Sequence, residues 1–177
     1  MPANLPEERA QDLYVARSVI DDTPGERVVL GLADLVRYLA DPAADLTQQQ
    51  WQVCRENPRL KADYERLKSR LLVAELPVAA AAAQGELNER KFAGGFLRMR
   101  PSAVPGQVYL ILTLEPTIAA PRMLMIEGKN GEVARIALPP PDADGTMLVI
   151  QDTARNEADA RAIRLLRDPT SCGVLLS

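Results

Sequence analysis

Val108-Tyr109-Leu110-Ile111-Leu112-Thr113-Leu114 is apolar on both of its alternating faces and follows the turn dipeptide Pro105-Gly106. A run this short, bounded by turn residues, reads as a central strand of a packed sheet. Its neighbours extend the pattern. Upstream, Phe96-Leu97-Arg98-Met99-Arg100 alternates apolar and basic residues, as a half-exposed strand does. Downstream, Met123–Ile126 and Val133–Leu138 flank Gly128-Lys129-Asn130-Gly131, where Asn130-Gly131 supplies the positive φ angles of a tight hairpin turn. Met147–Ile150 and Gly173–Leu176 add two more strands, and residues 156–168 carry helical spacing between them. Residues 89–177 therefore predict an antiparallel β-sandwich-like domain with one short helix near 156–168.

The first half has a different period. Leu13, Val15, Ala16, Val19 and Ile20 follow Pro6-Glu7-Glu8, a helix-start signature, and Asp21–Gly25 ends the segment. Val28, Val29, Leu32, Leu35, Val36 and Leu39 predict one buried helical stripe, stopped by Asp41-Pro42. Thr47 is placed to cap a helix through Trp51 and Cys54, and Asn57-Pro58 to open the next. That last helix carries Leu60, Tyr64, Leu67 and Leu71 on one stripe. Residues 1–76 thus predict a small helical bundle, and the Ala-rich stretch 77–88 a linker to the β domain. The fold class expected is α+β.

Composition restricts the chemistry. The 177 residues are 47% apolar but only 4% aromatic, so the core is aliphatic. Histidine is absent, which removes imidazole bases, His-dependent nucleophiles and His metal ligands. Cys54 and Cys172, 118 positions apart, offer no CxxC pair and no disulfide framework. The net charge is −3, divided as −5, +4 and −2 over residues 1–50, 51–100 and 101–177. A middle third of +4 is too weak a footprint to expect direct nucleic-acid binding. The N-terminus lacks the basic and apolar regions of a signal peptide, and no apolar run is long enough to cross a bilayer. The expectation is a cytoplasmic chain with reduced thiols and no membrane partner.

No phosphate-binding glycine motif or nucleophile elbow is present. Ser69 lies beside Lys68 on the same helix as Lys61, but these lysines read as solvated helix-face charges. Asp142-x-Asp144-Gly145 resembles the start of a calcium loop, yet lacks the third acidic ligand and the distal glutamate. Glu157 and Asp159 suit the N-terminal dipole of the last helix. No catalytic, cofactor-binding or metal-ligating residue is therefore assigned. Trp51 is the one candidate aromatic anchor for a partner. Arg55 could depress the Cys54 thiol, but without a base or second thiol Cys54 reads as a small buried apolar group.

Leu35-Val36-Arg37-Tyr38-Leu39-Ala40-Asp41, then Leu46, Cys54 and Pro58-Arg59-Leu60, resemble in order the cytoplasmic domain of anti-sigma factors. The His-x-x-x-Cys-x-x-Cys stretch of the zinc-bearing members falls near Gln50–Arg55. This chain has only Cys54 there, so zinc is not carried over. Gly106–Leu114 and the Asn130-Gly131 hairpin resemble the small β-sandwich found in some of these proteins. The resemblance implies a non-enzymatic regulator of transcription that binds a sigma factor through its helices. An apolar groove edged by Arg59, Arg66 and Arg70 would receive the partner, with Leu13 on a movable first helix. The alternative expectation is a substrate or adaptor of a caspase-like or other peptidase, with Ala79–Ala83 as the cleavable linker.

Overall fold

The computed structural model describes residues 28–79 and 87–177. Among them are α1 (Leu32–Ala40), α2 (Gln48–Glu56), α3 (Pro58–Leu71), β1 (Leu72–Leu76), β2 (Glu89–Phe92), β3 (Gly95–Pro101) and β4 (Gln107–Leu114). There follow β5 (Met123–Glu127), β6 (Val133–Ala137), β7 (Thr146–Asp152), α4 (Glu157–Arg167) and β8 (Cys172–Leu176). The class is α+β. The strands form two antiparallel sheets, ordered β1-β8-β5-β6 and β2-β3-β4-β7.

Local chemistry sets the helix ends. Thr47 Oγ1 accepts the Gln50 amide at 3.2 Å while Gln50 Oε1 accepts the Thr47 amide at 3.0 Å, so two otherwise orphaned donors are satisfied at the start of α2. Asn57 Oδ1 accepts the Arg59 and Leu60 amides, and Pro58 occupies the first turn of α3, where it costs no hydrogen bond. Asn156 caps α4 in the same way. The β5–β6 hairpin turns over residues 128–132 rather than through a two-residue loop. Gly128 N–H donates to Glu132 O, and Gly131 sits at φ +77°.

The first sheet is the middle of three layers. Leu124, Ile126, Leu175, Ala134 and Ile136 on one face meet Leu97, Met99, Leu110, Leu112 and Met147 of the second sheet. Ala162, Ile163, Leu165 and Leu166 of α4 enter the same core. Met123, Met125 and Leu176 on the opposite face meet Leu35, Tyr38, Leu39, Cys54 and Tyr64 of the helices and Leu46 of the α1–α2 connection. Each fully buried leucine removes enough apolar surface from water to contribute about 2 kcal/mol. The two cores together hold both sheets and the helical layer.

Three readings of the sequence change. Residues 72–76, read with the helices, are the edge strand β1. Helix α3 runs into it without a loop, and β1 then pairs with β8. The stripe from Val28 to Leu39 is not buried as a unit. The α1 helix starts only at Leu32, leaving Val29 77% exposed, and Leu32 and Val36 stand on its outer side while Leu35 and Leu39 are buried. Finally, β4 is central in its sheet but buries only alternate residues. The strand covered on both faces is β5, where Met123–Ile126 are all buried. The expected first helix and most of the Ala-rich linker fall on residues 1–27 and 80–86, outside the described residues. No described helix is long and apolar enough to cross a membrane.

Candidate functional site

Between the helical layer and the sandwich runs a groove of about 830 Å3. Its walls come from the α1–α2 connection, α2, the β5–β6 hairpin with β6, and the first turns of α4.

One wall is aromatic. Trp51 is half-buried and stands edge-to-face between two tyrosines, with ring centroids 5.1 Å from Tyr38 and 5.5 Å from Tyr64. Such perpendicular contacts put positive ring edges against negative faces and lock the indole orientation. Tyr38 and Tyr64 are buried beneath it. Burial pushes the Tyr38 phenol up to about 12, although the Arg135 guanidinium pulls it partway back. Burial pushes the Tyr64 phenol up further, and its hydroxyl lies 3.6 Å from Met125 Sδ, a weak acceptor.

The floor is pinned by arginine. Arg135 on β6 donates to the carbonyl of Tyr38 at 2.7 Å, to that of Asp41 at 3.4 Å and to that of Ala44. Its guanidinium also lies 3.8 Å from the Tyr38 ring centroid. These carbonyls close the C-terminal end of α1 and the turn after it, where a helix leaves acceptors unpaired. A guanidinium satisfies several at once and complements the negative end of the helix dipole. Arg55 of α2 reaches across to the carbonyl of Gly131 at 3.0 Å. The helical layer is thus tied to the sheet at both ends of the groove.

The rim carries both signs of charge: Asp45, Arg55, Glu56, Glu132 and Arg161. Glu132 receives a two-pronged contact from Arg164, at 2.6 and 3.1 Å, and this holds its carboxyl below the usual carboxylate range. Cys54 is buried, and burial raises its thiol despite the neighbouring Arg55. The arginine effect weighed from sequence loses to desolvation. Among the described residues, no three of the His, Cys, Asp and Glu side chains stand where they would hold a metal ion.

The sequence-derived site divides. Trp51 lines the groove. Arg59, Arg66 and Arg70 are exposed together on α3, outside the groove lining, and Arg66 pairs with Asp63 at 2.7 Å. The apolar stripe they were expected to edge is not an open groove. Leu60, Tyr64, Leu67 and Leu71 cover Met125, Val174 and Leu176 of the first sheet. Leu13 lies outside the described residues. Tyr38 enters the sequence reading only through the anti-sigma resemblance and Arg135 and Arg161 not at all, since Arg135 meets Tyr38 across 97 positions of chain. The one available signal was a cation inside the otherwise apolar Val133–Leu138 run.

The residues that carry the anti-sigma resemblance divide between surface and core: Val36, Arg37, Ala40, Asp41, Pro58 and Arg59 are exposed. Leu35, Tyr38, Leu39, Leu46 and Cys54 are all buried in the core between helices and sheet. They describe packing, and of these only Tyr38 and Leu46 also line the groove. No family model, no curated protein and no solved structure matches the chain.

Proposed function

We propose that the chain is a non-catalytic regulatory or adaptor protein that takes a segment of another protein into the groove around Trp51. The observation that supports this most is the combination of a locked, half-buried indole with a rim of both charge signs. A partner side chain packs on the indole, and rim charges fix its register and speed encounter. Peptide grooves of this kind gain affinity when their walls are ordered beforehand, and Arg135 and Arg55 provide that order here.

The most specific form of the proposal is an anti-sigma-type regulator of transcription. Its support is the order of core residues from Leu35 to Leu60 and the three short consecutive helices that they build. A sigma factor would then dock on the groove rather than on the apolar stripe of α3, which is already covered. Co-purification of the tagged full chain from its host tests both levels. Recovery of a sigma factor, lost in Trp51→Ala and followed by repression of that factor's transcription in vitro, is the expected result. Recovery of no protein partner, or of one insensitive to Trp51→Ala, would overturn it.

A further inference from the structure

Strand β7 is an outer strand of the second sheet and, among the described residues, pairs only with β4. The ladder fixes which of its backbone groups point outward. Leu114 N–H donates to Gly145 O and Thr153 N–H to Gly106 O, so odd-numbered residues of β7 bond to β4. Thr146, Leu148, Ile150 and Asp152 therefore face away from the sheet with their N–H and C=O groups.

Both ends of this edge are closed by the chain itself. Asp142 N–H donates to Thr146 O at 2.8 Å, and Asp142 Oδ1 accepts the Thr146 amide at 2.7 Å. At the other end Asp159 Oδ2 accepts the Asp152 amide at 2.8 Å. Between them the edge is open: Leu148 N–H and C=O and Ile150 N–H have no partner among the described residues, and Ile150 O has only a 3.4 Å contact from Gln151 Nε2. Leu148 is 54% and Ile150 53% exposed, and Tyr109 and Ile111 stand beside them on the same face of the sheet.

An unpaired, apolar strand edge is a template for another strand, and proteins usually protect such edges with lysine, proline or a bulge. None of these occurs in Thr146–Asp152. The flanks are acidic instead. Residues 142–159 contain Asp142, Asp144, Asp152, Glu157 and Asp159 against the single cation Arg155. Arg98 and Arg100 lie two strands further in, roughly 10 Å away at the usual strand spacing. A second copy of this chain is a poor occupant. Antiparallel pairing of β7 with itself would set Asp152 against the Asp142-capped end of the other copy, carboxylate against carboxylate.

We propose that the β7 edge binds an extended segment of a partner protein by strand addition, and that this segment has alternating aliphatic side chains between basic flanks. The incoming backbone takes up the open groups of Leu148 and Ile150. Its aliphatic side chains extend the row of Leu148, Ile150, Ile111 and Tyr109, and its cations meet the two acidic ends. The surface is separate from the Trp51 groove, so it stands or falls independently of that reading.

The test uses the full chain and two fluorescent hexapeptides of alternating valine and threonine, one ended by lysines and one by glutamates. The lysine-ended peptide is expected to bind, and the Leu148 and Ile150 amides to gain protection from hydrogen exchange. Ile150→Pro removes an outward N–H without touching the β4 ladder, and weakens this binding roughly tenfold, the effect of one lost hydrogen bond plus steric exclusion. Leu148→Lys, at an exposed position, does the same by charge and serves if the proline variant does not fold. Trp51→Ala leaves the binding unchanged. Absence of binding, equal binding of both peptides, or indifference to both edge variants would overturn the proposal. Concentration-dependent self-association lost in Leu148→Lys would overturn it too, because it would assign the edge to a second copy.

Discussion

The guanidinium of Arg135 lies 3.8 Å from the centre of the Tyr38 ring and donates a 2.7 Å hydrogen bond to the carbonyl of the same residue. One side chain of β6 thus holds α1 by its aromatic face and by its backbone. Its contacts to Asp41 and Ala44 carry the grip into the α1–α2 connection. Asp45 is within 3.6 Å but 84% exposed, so it adds little. The helical layer, and with it the groove, depends on this residue.

Arg135→Lys keeps the charge and loses the planar fork, so it cannot satisfy three carbonyls while lying on the ring. We expect a loss of about 3 kcal/mol in urea unfolding. The emission of Trp51, the only tryptophan in the sequence, should shift to the red as the layer loosens. A variant within about 0.5 kcal/mol of the wild type, the usual range for surface changes, would remove Arg135 from this role.

A second buried arginine closes the opposite side of the sandwich. Arg90 donates to Ser171 Oγ at 2.8 Å, to Ser171 O at 2.6 Å and to Pro77 O at 2.7 Å. Ser171 Oγ in turn donates toward the carbonyls of Leu165 and Asp168, at 2.5 and 2.9 Å. Burial lowers the Arg90 pKa, and Asp168 raises it in part. Arg90→Ala strands these acceptors and is expected to cost about 3 kcal/mol. Ser171→Ala should cost less, and the double variant less than the sum of the two, as members of one network behave. Denaturant unfolding of the three variants measures both terms.

The buried tyrosines make stability fall at high pH. The folded chain keeps the Tyr38 and Tyr64 protons where the unfolded chain, titrating near 10.0, has lost them. The native state then binds more protons, so this contribution is complete below pH 10 and declines as pH rises toward 12. Each tyrosine adds a slope of about 1.4 kcal/mol per pH unit in that window. Tyr64→Phe removes one such slope and sacrifices only the weak contact to Met125 Sδ. Urea midpoints between pH 9 and 11.5 check the difference, and identical slopes in variant and wild type would refute it.

Gly95 is fixed by close approach. A Cβ built there overlaps the Thr113 carbonyl oxygen of the paired strand and comes within 2.9 Å of the Phe92 ring. Gly95→Ala must part β3 from β4 at that point. A loss of about 3 kcal/mol is expected, with faster amide exchange at Thr113 and Glu115, whose N–H groups face β3. Full stability of the variant would contradict the register given for this pair.

Much of the architecture is legible in short-range pattern. Thr47 and Asn57-Pro58 announce two helix starts, and Phe96–Arg100, Val108–Leu114 and Met147–Ile150 announce strands by apolar patterning and turn residues. Strand β1 was hidden because Leu72–Leu76 continues the apolar character of α3 with no turn residue between. Strand β2, Glu89-Arg90-Lys91-Phe92, was hidden because its inward Arg90 is a charge whose buried partner Ser171 lies 81 positions away. The double burial of β5 depends on the helices returning to cover it, which no local period encodes. Trp51 alone among the candidate site residues marks the groove, as a single aromatic in an aromatic-poor chain. Arg59, Arg66 and Arg70 stand out in sequence as the expected edges of an apolar groove, whereas Arg135 and Arg55 matter through their reach to distant carbonyls.

Site-specific photo-crosslinking tests docking at the Trp51 groove most directly. A photoreactive phenylalanine replaces Gln52, which is exposed and lines the groove, or Arg59, which is exposed on α3 away from it. The chains are irradiated in the host cell, and adducts are identified by mass spectrometry. The groove position should capture one protein, with the adduct lost when Trp51→Ala is added, while the α3 position captures none. Adducts at Arg59 alone, or none at Gln52, would contradict the account.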